Sequence, residues 1–481
     1  MSGLSTSSIT SRLAAEGTTA ATQLLILQFL NGAANAAALA GNEPQAGPVE
    51  DSPGSGYGDQ VRVYDIGPVV AQRIIARRSA VGGFTALTQL AGIKGFGADK
   101  FNDLLYSFSR SLYEVSGIVF NFNSATHSND ALNLRRNFAS VLPSPVWRRG
   151  SSAVARESCA AYAIAPTLGQ PLAIRVALRA NGLSAAFVRA VGGGRLGSVR
   201  EQLVSFDASG SSGWQTFQLE NTTFHAHGVG AADIAWSWQW RRLATDPWRP
   251  LLTTRHRIYV TLDLPTLPWV QTSGSTSVPW TDALDIACAW AAGATTRDDA
   301  ATQVTTRYNG SGRVSYDTVM GATLYGWVDY QLTQMINRLN GGFGLGEKVN
   351  CTDSADTVST FANLLGCDVW QSRMESFFKL NPMIAIGYST WAIPFSGSFS
   401  YHEVAWKGAC TSADNVFDGC LKVDADADPV RAPHVPLLAT NMLFGDCSTM
   451  TYRLRLCPPT PAGCGACQPQ PATTRKRRPF V

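Results

Sequence analysis

A stretch without hydrophobic periodicity divides this chain near its start. Residues 41–59 are rich in Gly, Pro, Asn and Ser, a composition that is typical of linkers. The 481 residues also exceed what one hydrophobic core normally serves, so we expect roughly three domains with flexible ends. Because 45% of the residues are apolar and only 15% are charged, most of the chain is predicted to be globular.

The net charge of the chain comes from its C-terminus. The formal charge is +4, and Arg475, Lys476, Arg477 and Arg478 supply all of it. A basic terminus of this kind is most often solvated, although it can also contact nucleic acid or an acidic surface. The folded body is therefore expected to be neutral.

The N-terminal residues determine the expected compartment. No stretch reaches the roughly 20 apolar residues that a membrane-spanning helix needs, so no membrane partner is expected. Arg12, the apolar run at 24–30 and the Ala-Leu-Ala sequence at 38–40 form only a weak signal-peptide pattern. A cytoplasmic location is favoured, and secretion is the alternative.

The ten cysteines are too sparse for a disulfide scaffold. Cys447, Cys457, Cys464 and Cys467 crowd the C-terminus, but their spacings fit no standard zinc pattern. We therefore expect neither a metal nor another cofactor.

Residues 61–105 predict paired short helices. Ile66, Gly67 and Pro68 open one helix, and Gly95 and Gly97 flank the start of another. The segment resembles a tandem helix-hairpin-helix unit of the kind found in DNA-uptake and repair proteins. In that family the glycine turn brings backbone N–H groups and a helix N-terminus close to a DNA phosphate.

This resemblance implies a set of candidate contacts to DNA or to a protein partner: Gly67, Arg73, Arg77, Lys94, Gly95, Gly97 and Lys100. Two features argue against strong DNA binding. Asp65 places a carboxylate where the family usually has a glycine, and the net charge of residues 59–105 is only +2. Non-specific duplex DNA binding and protein docking both remain open.

Short apolar runs between clusters of Gly, Ser and Asn recur over residues 111–272, which predicts an antiparallel β-sandwich. Trp236, Trp238 and Trp240 alternate and so share one face, where a sandwich core explains them more simply than a sugar-binding platform. His225 and His227 are expected to share a face in the same way, without a third metal ligand nearby in sequence.

Cys351 is the strongest candidate nucleophile. It follows a Gly-rich segment and Asn350, and it precedes an apolar-periodic stretch that ends at Gly366. This pattern predicts a helix that begins at Cys351. Thiolate is the nucleophilic form of cysteine, and a helix N-terminus stabilises that anion. Cys367, among apolar neighbours, is typical of an inert buried thiol.

Packing helices are predicted at residues 279–290 and 319–339, and two strands at 399–406 and 416–423. If these strands pair, His402 and Asp418 lie on one face within side-chain reach. Asp424 has the same strand parity and stays open as an alternative, although the Val-Phe-Asp context favours Asp418.

Residues 279–456 thus resemble the transglutaminase-like superfamily of papain-type cysteine enzymes. In that superfamily a Cys at a helix start, a His on one strand and an Asp on the next occur in this chain order. The resemblance implies that Cys351 is the nucleophile, His402 the base and Asp418 the group that orients the base. The Cys351 backbone N–H is a natural half of the oxyanion hole, and Tyr401, Trp391 and Asn350 are candidates for the second donor.

The expected protein is therefore an α+β multidomain chain. Its parts are a leader and linker (1–58), a helix-hairpin-helix module (59–110), a β-sandwich (111–272), a transglutaminase-like cysteine domain (273–458) and a basic tail (459–481). The expected function is cysteine-dependent hydrolysis or acyl transfer at amide bonds of a protein or peptide substrate. The alternative is a non-catalytic scaffold or DNA-binding protein.

Overall fold

The computed structural model describes residues 3–15, 18, 20–40, 66–109, 111–123, 127–142, 146–148, 155–220, 222–246 and 248–481. The linker predicted at 41–59 and the carboxylate of Asp65 lie outside the described residues. The chain is an α+β protein with a helical region, a large antiparallel sheet and a mixed region. No helix in these ranges combines the length and the apolar character that crossing a bilayer requires.

The N-terminal region is helical. Its elements are α1 (Thr6–Ala15), α2 (Ala20–Gly32), α3 (Ala36–Leu39), α4 (Pro68–Ala80), a 3-10 turn (Leu87–Leu90) and α5 (Ala98–Ser109). Phe29 and Leu30 of α2 are buried in the same cluster as Ile74 of α4 and Leu104 of α5. Arg78 of α4 is bonded to the end of α2, because its Nη1 donates to the carbonyls of Leu30, Asn31 and Ala33. The described residues among the first forty, which the sequence indicated only as a leader, therefore share a core with the helices at 68–80 and 98–109.

A large sheet follows. Its strands are β1 (Ser111–Val119), β2 (Val146–Arg148), β3 (Cys159–Ala163), β4 (Ala173–Asn181), β5 (Ala185–Gly192), β6 (Ser198–Ser205), β7 (Ser211–Glu220), β8 (Gly230–Arg241) and β9 (Arg249–Thr261), with the short helix α6 (Ile164–Thr167) after β3. The strand order is β2-β1-β4-β7-β6-β5-β8-β9-β3, and the pairs are antiparallel except for β3 with β9.

Side chains from both halves of this sheet share one core. Trp236, Trp238 and Trp240 on β8 are buried there, so they belong to the core of this sheet and form no exposed platform. The prediction for His225 and His227 was wrong, because the chain makes a 3-10 turn at Phe224–Ala226 instead of a strand. His225 Nε2 lies 3.0 Å from Thr167 Oγ1.

The mixed region carries the remaining elements. They are α7 (Thr281–Trp290), α8 (Arg297–Asn309), β10 (Ser315–Tyr316), α9 (Leu332–Leu339), β11 (Lys348–Val349), α10 (Cys351–Leu364), β12 (Trp370–Ala385), β13 (Phe395–Trp406), β14 (Asn415–Phe417), β15 (Leu421–Asp424), β16 (Pro436–Leu438), β17 (Met442–Leu443), α11 (Tyr452–Leu456), β18 (Gln468–Pro469) and α12 (Pro471–Thr474). The main sheet has the order β16-β15-β12-β13-β14-β17, and every residue of α10 is buried beside it.

Two predicted elements of this region differ from the structure. The strand predicted at 416–423 is divided into β14 and β15, because Asp418 Oδ1 accepts the N–H groups of Cys420 and Leu421 and so makes a turn. The helix predicted at 319–339 is limited to α9. Asp317 accepts the N–H groups of Val319 and Met320 and holds the preceding residues in a loop.

The C-terminus packs on this region instead of being solvated. Lys476 exchanges backbone hydrogen bonds with Gln371 of β12, and Phe480 is buried with its ring centroid 4.2 Å from that of Trp269. A disulfide between Cys447 and Cys464 closes a loop just before these residues. The sequence did not predict this packing, because a single aromatic residue, Phe480, anchors the segment and it follows a run of four basic residues.

Candidate active site

Cys351 is held at the first position of α10 by a capping box. Asn350 Oδ1 accepts the N–H of Asp353 at 3.1 Å, and Asp353 Oδ2 accepts the N–H of Asn350 at 3.1 Å. The Cys351 side chain is only 3% exposed. The nucleophile predicted from sequence therefore lies at a helix N-terminus, where backbone N–H groups without intrahelical partners favour a negative charge.

His402 and Asp418 are in direct contact. His402 lies on β13, and its Nε2 is 3.1 Å from Oδ2 of Asp418, which directly follows the paired strand β14. Both side chains are fully buried. The Phe399 ring stacks on the imidazole at a centroid distance of 5.1 Å, and Tyr452 donates its hydroxyl to Asp418 Oδ2 at 2.8 Å. These contacts fix both the ring and the carboxylate.

The two groups of this pair stabilise each other's charge. Burial alone would lower the pKa of His402, but the charge and hydrogen bond of Asp418 and the neighbouring Cys351 side chain raise it to about 10. Burial alone would raise the pKa of Asp418, but His402 holds it below its usual range. His402 Nδ1 has no hydrogen-bond partner among the described residues. It is the ring nitrogen that Asp418 does not contact.

Asp424, the open alternative to Asp418, belongs to a separate pair. Its Oδ2 accepts from Nδ1 of His434, and its Oδ1 accepts the N–H of Val435 at 2.7 Å. The division of the predicted strand explains this, because Asp424 lies on β15, which pairs with β12 and not with β13. The structure brings Asp418 to His402 and leaves Asp424 elsewhere.

The three candidates for the second oxyanion donor differ in their surroundings. The Asn350 amide already donates to Gly321 O and Thr323 Oγ1. Trp391 Nε1 has no partner among the described residues, but its indole stacks on His434. The Tyr401 hydroxyl lies 3.3 Å from Thr352 Oγ1, and burial together with the nearby Cys351 raises the pKa of Tyr401. Tyr401 therefore stays protonated and is the candidate that lies beside Cys351.

A cavity of about 450 Å³ opens beside the first turn of α10. It is lined by Ala322, Thr323, Gly326, Trp327, Thr352, Arg373, Lys476 and Arg478. Below it lies the buried Glu403, whose Oε2 accepts from Thr352 Oγ1 at 2.8 Å and from Arg373 Nε at 2.9 Å, while Lys476 Nζ is 3.2 Å from Oε1.

None of these charged groups was predicted from the sequence to belong to the site. Burial alone would raise the pKa of Glu403, but Lys476 and Arg373 hold it below its usual range. The sequence contained one signal, the run of basic residues before Phe480. In an extended segment, alternate side chains of such a run can face the same side.

One group of potential metal ligands occurs in the described part of the chain. Ligand atoms of His402, Asp418 and Cys420 lie within 4.8 Å of one another. The Cys420 thiol donates to Asp418 Oδ1 at 3.2 Å, and burial together with Asp418 raises the pKa of Cys420 well above its usual value. Hydrogen bonds account for this cluster, and we assign no metal to it.

The candidate contacts of the hairpins are partly used within the module. Gly95 has a φ of +83°, and the preceding Lys94 carbonyl accepts from Arg73 Nη1 at 2.7 Å. Arg77 Nε donates to Gln89 O at 3.3 Å. The remaining candidates lie at helix starts: Gly67 precedes α4, Gly97 precedes α5 and Lys100 is in the first turn of α5.

Comparisons with known proteins give two findings. Residues 61–106 match a family described as the helix-hairpin-helix motif. Among solved structures the chain is similar to a transglutaminase of red sea bream, at 11% identity and a TM-score of 0.31, over 52% of this chain and 48% of that one. The chain thus spans about half the length of that transglutaminase, and a likeness of this size carries no argument about the site. A search of curated proteins found no match.

Proposed function

We propose that this chain is a cysteine-dependent hydrolase or acyl transferase that acts on amide bonds of a protein or peptide through a thioester. The observation that carries the proposal is the buried His402–Asp418 pair, with His402 Nδ1 unpartnered among the described residues, beside a cysteine at a helix N-terminus. These are the parts that an activated thiol nucleophile needs.

The reaction proceeds in two halves. In the reactive state His402 Nδ1 already holds the proton of Cys351, in keeping with the raised pKa of the ring, and the Cys351 thiolate attacks the amide carbonyl carbon. When the tetrahedral adduct collapses, the C–N bond breaks, the imidazolium gives its proton to the leaving amine, and a thioester remains. Water or a second amine then attacks the thioester and gives a proton to His402, and the C–S bond breaks. Asp418 takes no proton; it orients the ring and stabilises its positive charge.

The oxyanion of both adducts needs two donors. One is the backbone N–H of Cys351, which has no intrahelical partner at this position. The second is the Tyr401 hydroxyl. Because Thr352 Oγ1 donates to Glu403, Tyr401 is the donor in its 3.3 Å contact with Thr352, and this long contact can be exchanged for the oxyanion.

Alkylation tests the nucleophile without knowledge of the substrate. The described residues contain eight free cysteines, all buried, and burial raises the pKa of Cys159, Cys288, Cys367 and Cys410 to about 12. Iodoacetamide at pH 7 should therefore add one group, at Cys351, as measured by intact mass and peptide mapping. Cys351→Ser should abolish this addition and the matched control Cys367→Ser should preserve it. Labelling that survives Cys351→Ser would disprove the assignment.

Turnover tests the rest of the site. Ammonia release from glutamine peptides and incorporation of a fluorescent amine into them distinguish hydrolysis from transfer. Cys351→Ser should remove both activities, and His402→Ala should lower them by about a hundred- to ten-thousand-fold, as is typical for the loss of a general base. Asp418→Ala should have a smaller effect because the orienting group takes no proton. Asp424→Ala, which changes the other pair, is the matched control and should remain active.

A second candidate function is weak, sequence-independent binding of duplex DNA. The observation that favours it is the match of residues 61–106 to the helix-hairpin-helix motif, together with the left-handed turn at Gly95. Fluorescence anisotropy of the full chain should then show binding at low salt that is lost as salt rises. Lys94→Gln should weaken it, and Lys422→Gln, on β15, should not. Absence of binding at low salt would leave protein docking as the role of the module.

A further inference from the structure

We propose that the cavity beside Cys351 is an anion subsite that holds a carboxylate of the acyl substrate, and that the folded-back C-terminus completes it. The proposal deepens the proposed function and rests on it. It concerns the chemical class of the substrate: an amide whose acyl side carries a carboxylate a few bonds from the carbonyl that Cys351 attacks.

The side chains of the C-terminal basic residues alternate between the two sides of their segment, one facing the cavity and the other facing Trp370. Lys476 and Arg478 line the cavity. The intervening Arg477 and the preceding Arg475 stack on the outer Trp370 ring, with guanidinium carbons 3.8 and 3.5 Å from its centroid. The alternation follows from the extended backbone of this segment, which pairs with β12 through Gln371. Two of the four basic residues are therefore directed into the site by the fold.

The lining of the cavity is positively charged, because the described residues that form it include Arg373, Lys476 and Arg478 and no carboxylate. The buried carboxylates of Glu403 and Asp356 form ion pairs with these cations, and the more exposed Glu375 lies 3.7 Å from Arg373. An ammonium has three donors and a guanidinium five. Among the residues that the structure describes, Glu403 is the carboxylate in contact with Lys476, so the ammonium keeps donors for a ligand. A carboxylate is the ligand that matches a lining of cations and of N–H and O–H donors.

The cavity is also close to the nucleophile. Thr352, which forms part of its wall, follows Cys351 directly in the chain, and consecutive Cα atoms are about 3.8 Å apart. Tyr401 connects the two places, because its hydroxyl lies 3.3 Å from Thr352 Oγ1 and the Arg373 guanidinium lies 4.2 Å from the centre of its ring. The proposed acyl group, attached to the Cys351 sulfur, extends its carboxylate along this side chain toward the cavity. Trp327 at the rim is 72% exposed and offers an apolar surface to the neighbouring atoms of the substrate.

Two alkylating reagents of nearly equal size test the charge preference. Iodoacetate and iodoacetamide both form the S–C bond as iodide leaves, but only iodoacetate carries a carboxylate. The ratio of their rates at Cys351 should fall by about threefold or more in Lys476→Gln, because one cation beside the anion is lost. Lys476→Arg should restore the ratio. Arg475→Gln, which removes the same charge from the outer side of the same segment, should leave it unchanged.

The outcomes separate this inference from the proposed function. If Cys351 reacts with neither reagent, the proposed function fails. If it reacts with both and Lys476→Gln leaves the ratio unchanged, only the anion subsite is wrong. Circular dichroism and thermal unfolding of each variant establish that it is folded.

A protection experiment on the unaltered protein gives an answer even if Lys476→Gln does not fold. N-acetylalanine, N-acetylglutamate α-amide and the uncharged N-acetylalanine amide are added in turn while iodoacetamide reacts with Cys351. Protection by the first compound identifies a terminal carboxylate, and protection by the second a side-chain carboxylate. Equal protection by the uncharged amide, or none by any compound, would overturn the proposal.

Discussion

Replacement of Asp418 by asparagine should change the charge state of His402 over the whole neutral range. Asp418 is the main group that raises the pKa of His402 to about 10 against the effect of burial. Asparagine retains a hydrogen-bonding side chain but removes the charge. The pKa of His402 should then fall to its ordinary value of about 6.5 or lower, because the ring stays buried.

The size of the effect follows from these two pKa values. At pH 8 a group with a pKa of about 10 is about 99% protonated, whereas one with a pKa of about 6.5 is about 3% protonated. The imidazolium should therefore disappear in Asp418→Asn at a pH where the unaltered protein keeps it. The difference between the two pKa values corresponds to an upper bound on the order of 5 kcal/mol for the charge interaction.

Stability should depend on pH with a defined sign. Since folding raises the pKa of His402, its contribution is complete below about pH 6.5 and is lost as pH rises through about 10. Folding lowers the pKa of Asp418, so its contribution is present above its unfolded pKa and is lost in acid. The stability gap between the unaltered protein and Asp418→Asn should be widest between about pH 4 and pH 6.5 and should narrow as pH rises toward about 10.

NMR of histidine ring carbons gives the direct measurement. The chain has six histidines, and His402→Gln assigns the signal of interest. The matched control is Asp424→Asn, because Asp424 also accepts a hydrogen bond from a histidine, His434. This control should leave the His402 titration unchanged. If His402 titrated near pH 6.5 in the unaltered protein, or if Asp418→Asn did not move it, the ion-pair reasoning would be wrong.

Three further predictions concern stability. Ending the chain after Thr474 removes the buried Phe480 and should cost about 3–5 kcal/mol, seen as a lower thermal midpoint. Trp238→Ala should cost a similar amount in chemical unfolding because the indole fills the sandwich core, whereas the exposed Leu203→Ala should change little. Arg78→Ala leaves the carbonyls at the end of α2 without their donor and should cost about 1–3 kcal/mol, detected as faster proteolysis of the first forty residues.

The local parts of the candidate site were predictable from sequence. Asn350 and Asp353 form a capping pattern within four residues, so the helix start at Cys351 depends on no distant contact. His402 could be placed on a strand from alternation alone. The choice between Asp418 and Asp424 could not be made in the same way, because it depends on a turn that the Asp418 carboxylate itself stabilises.

The charged wall of the cavity was not predictable. Glu403 is a single charged residue in a strand pattern, and nothing nearby in sequence shows that Arg373 and Lys476 compensate it. Lys476 is separated from it by more than seventy residues and stands in a run of basic residues that is typical of solvated termini. Long-range ion pairs of this kind leave no periodic signal, so only the folded chain reveals them.

The first turn of α10 links these separate findings. Its three consecutive residues face three different parts of the protein: Cys351 acts on the His402 ring, Thr352 donates to Glu403, and Asp353 accepts the N–H groups of Leu324 and Tyr325. The candidate nucleophile, the residue that bonds Glu403 and the residue that holds the cavity-lining loop thus follow one another in a single helical turn. Asp353 joins two of these features, because its carboxylate accepts the N–H groups of the loop and also the N–H of Asn350, which completes the capping box before Cys351.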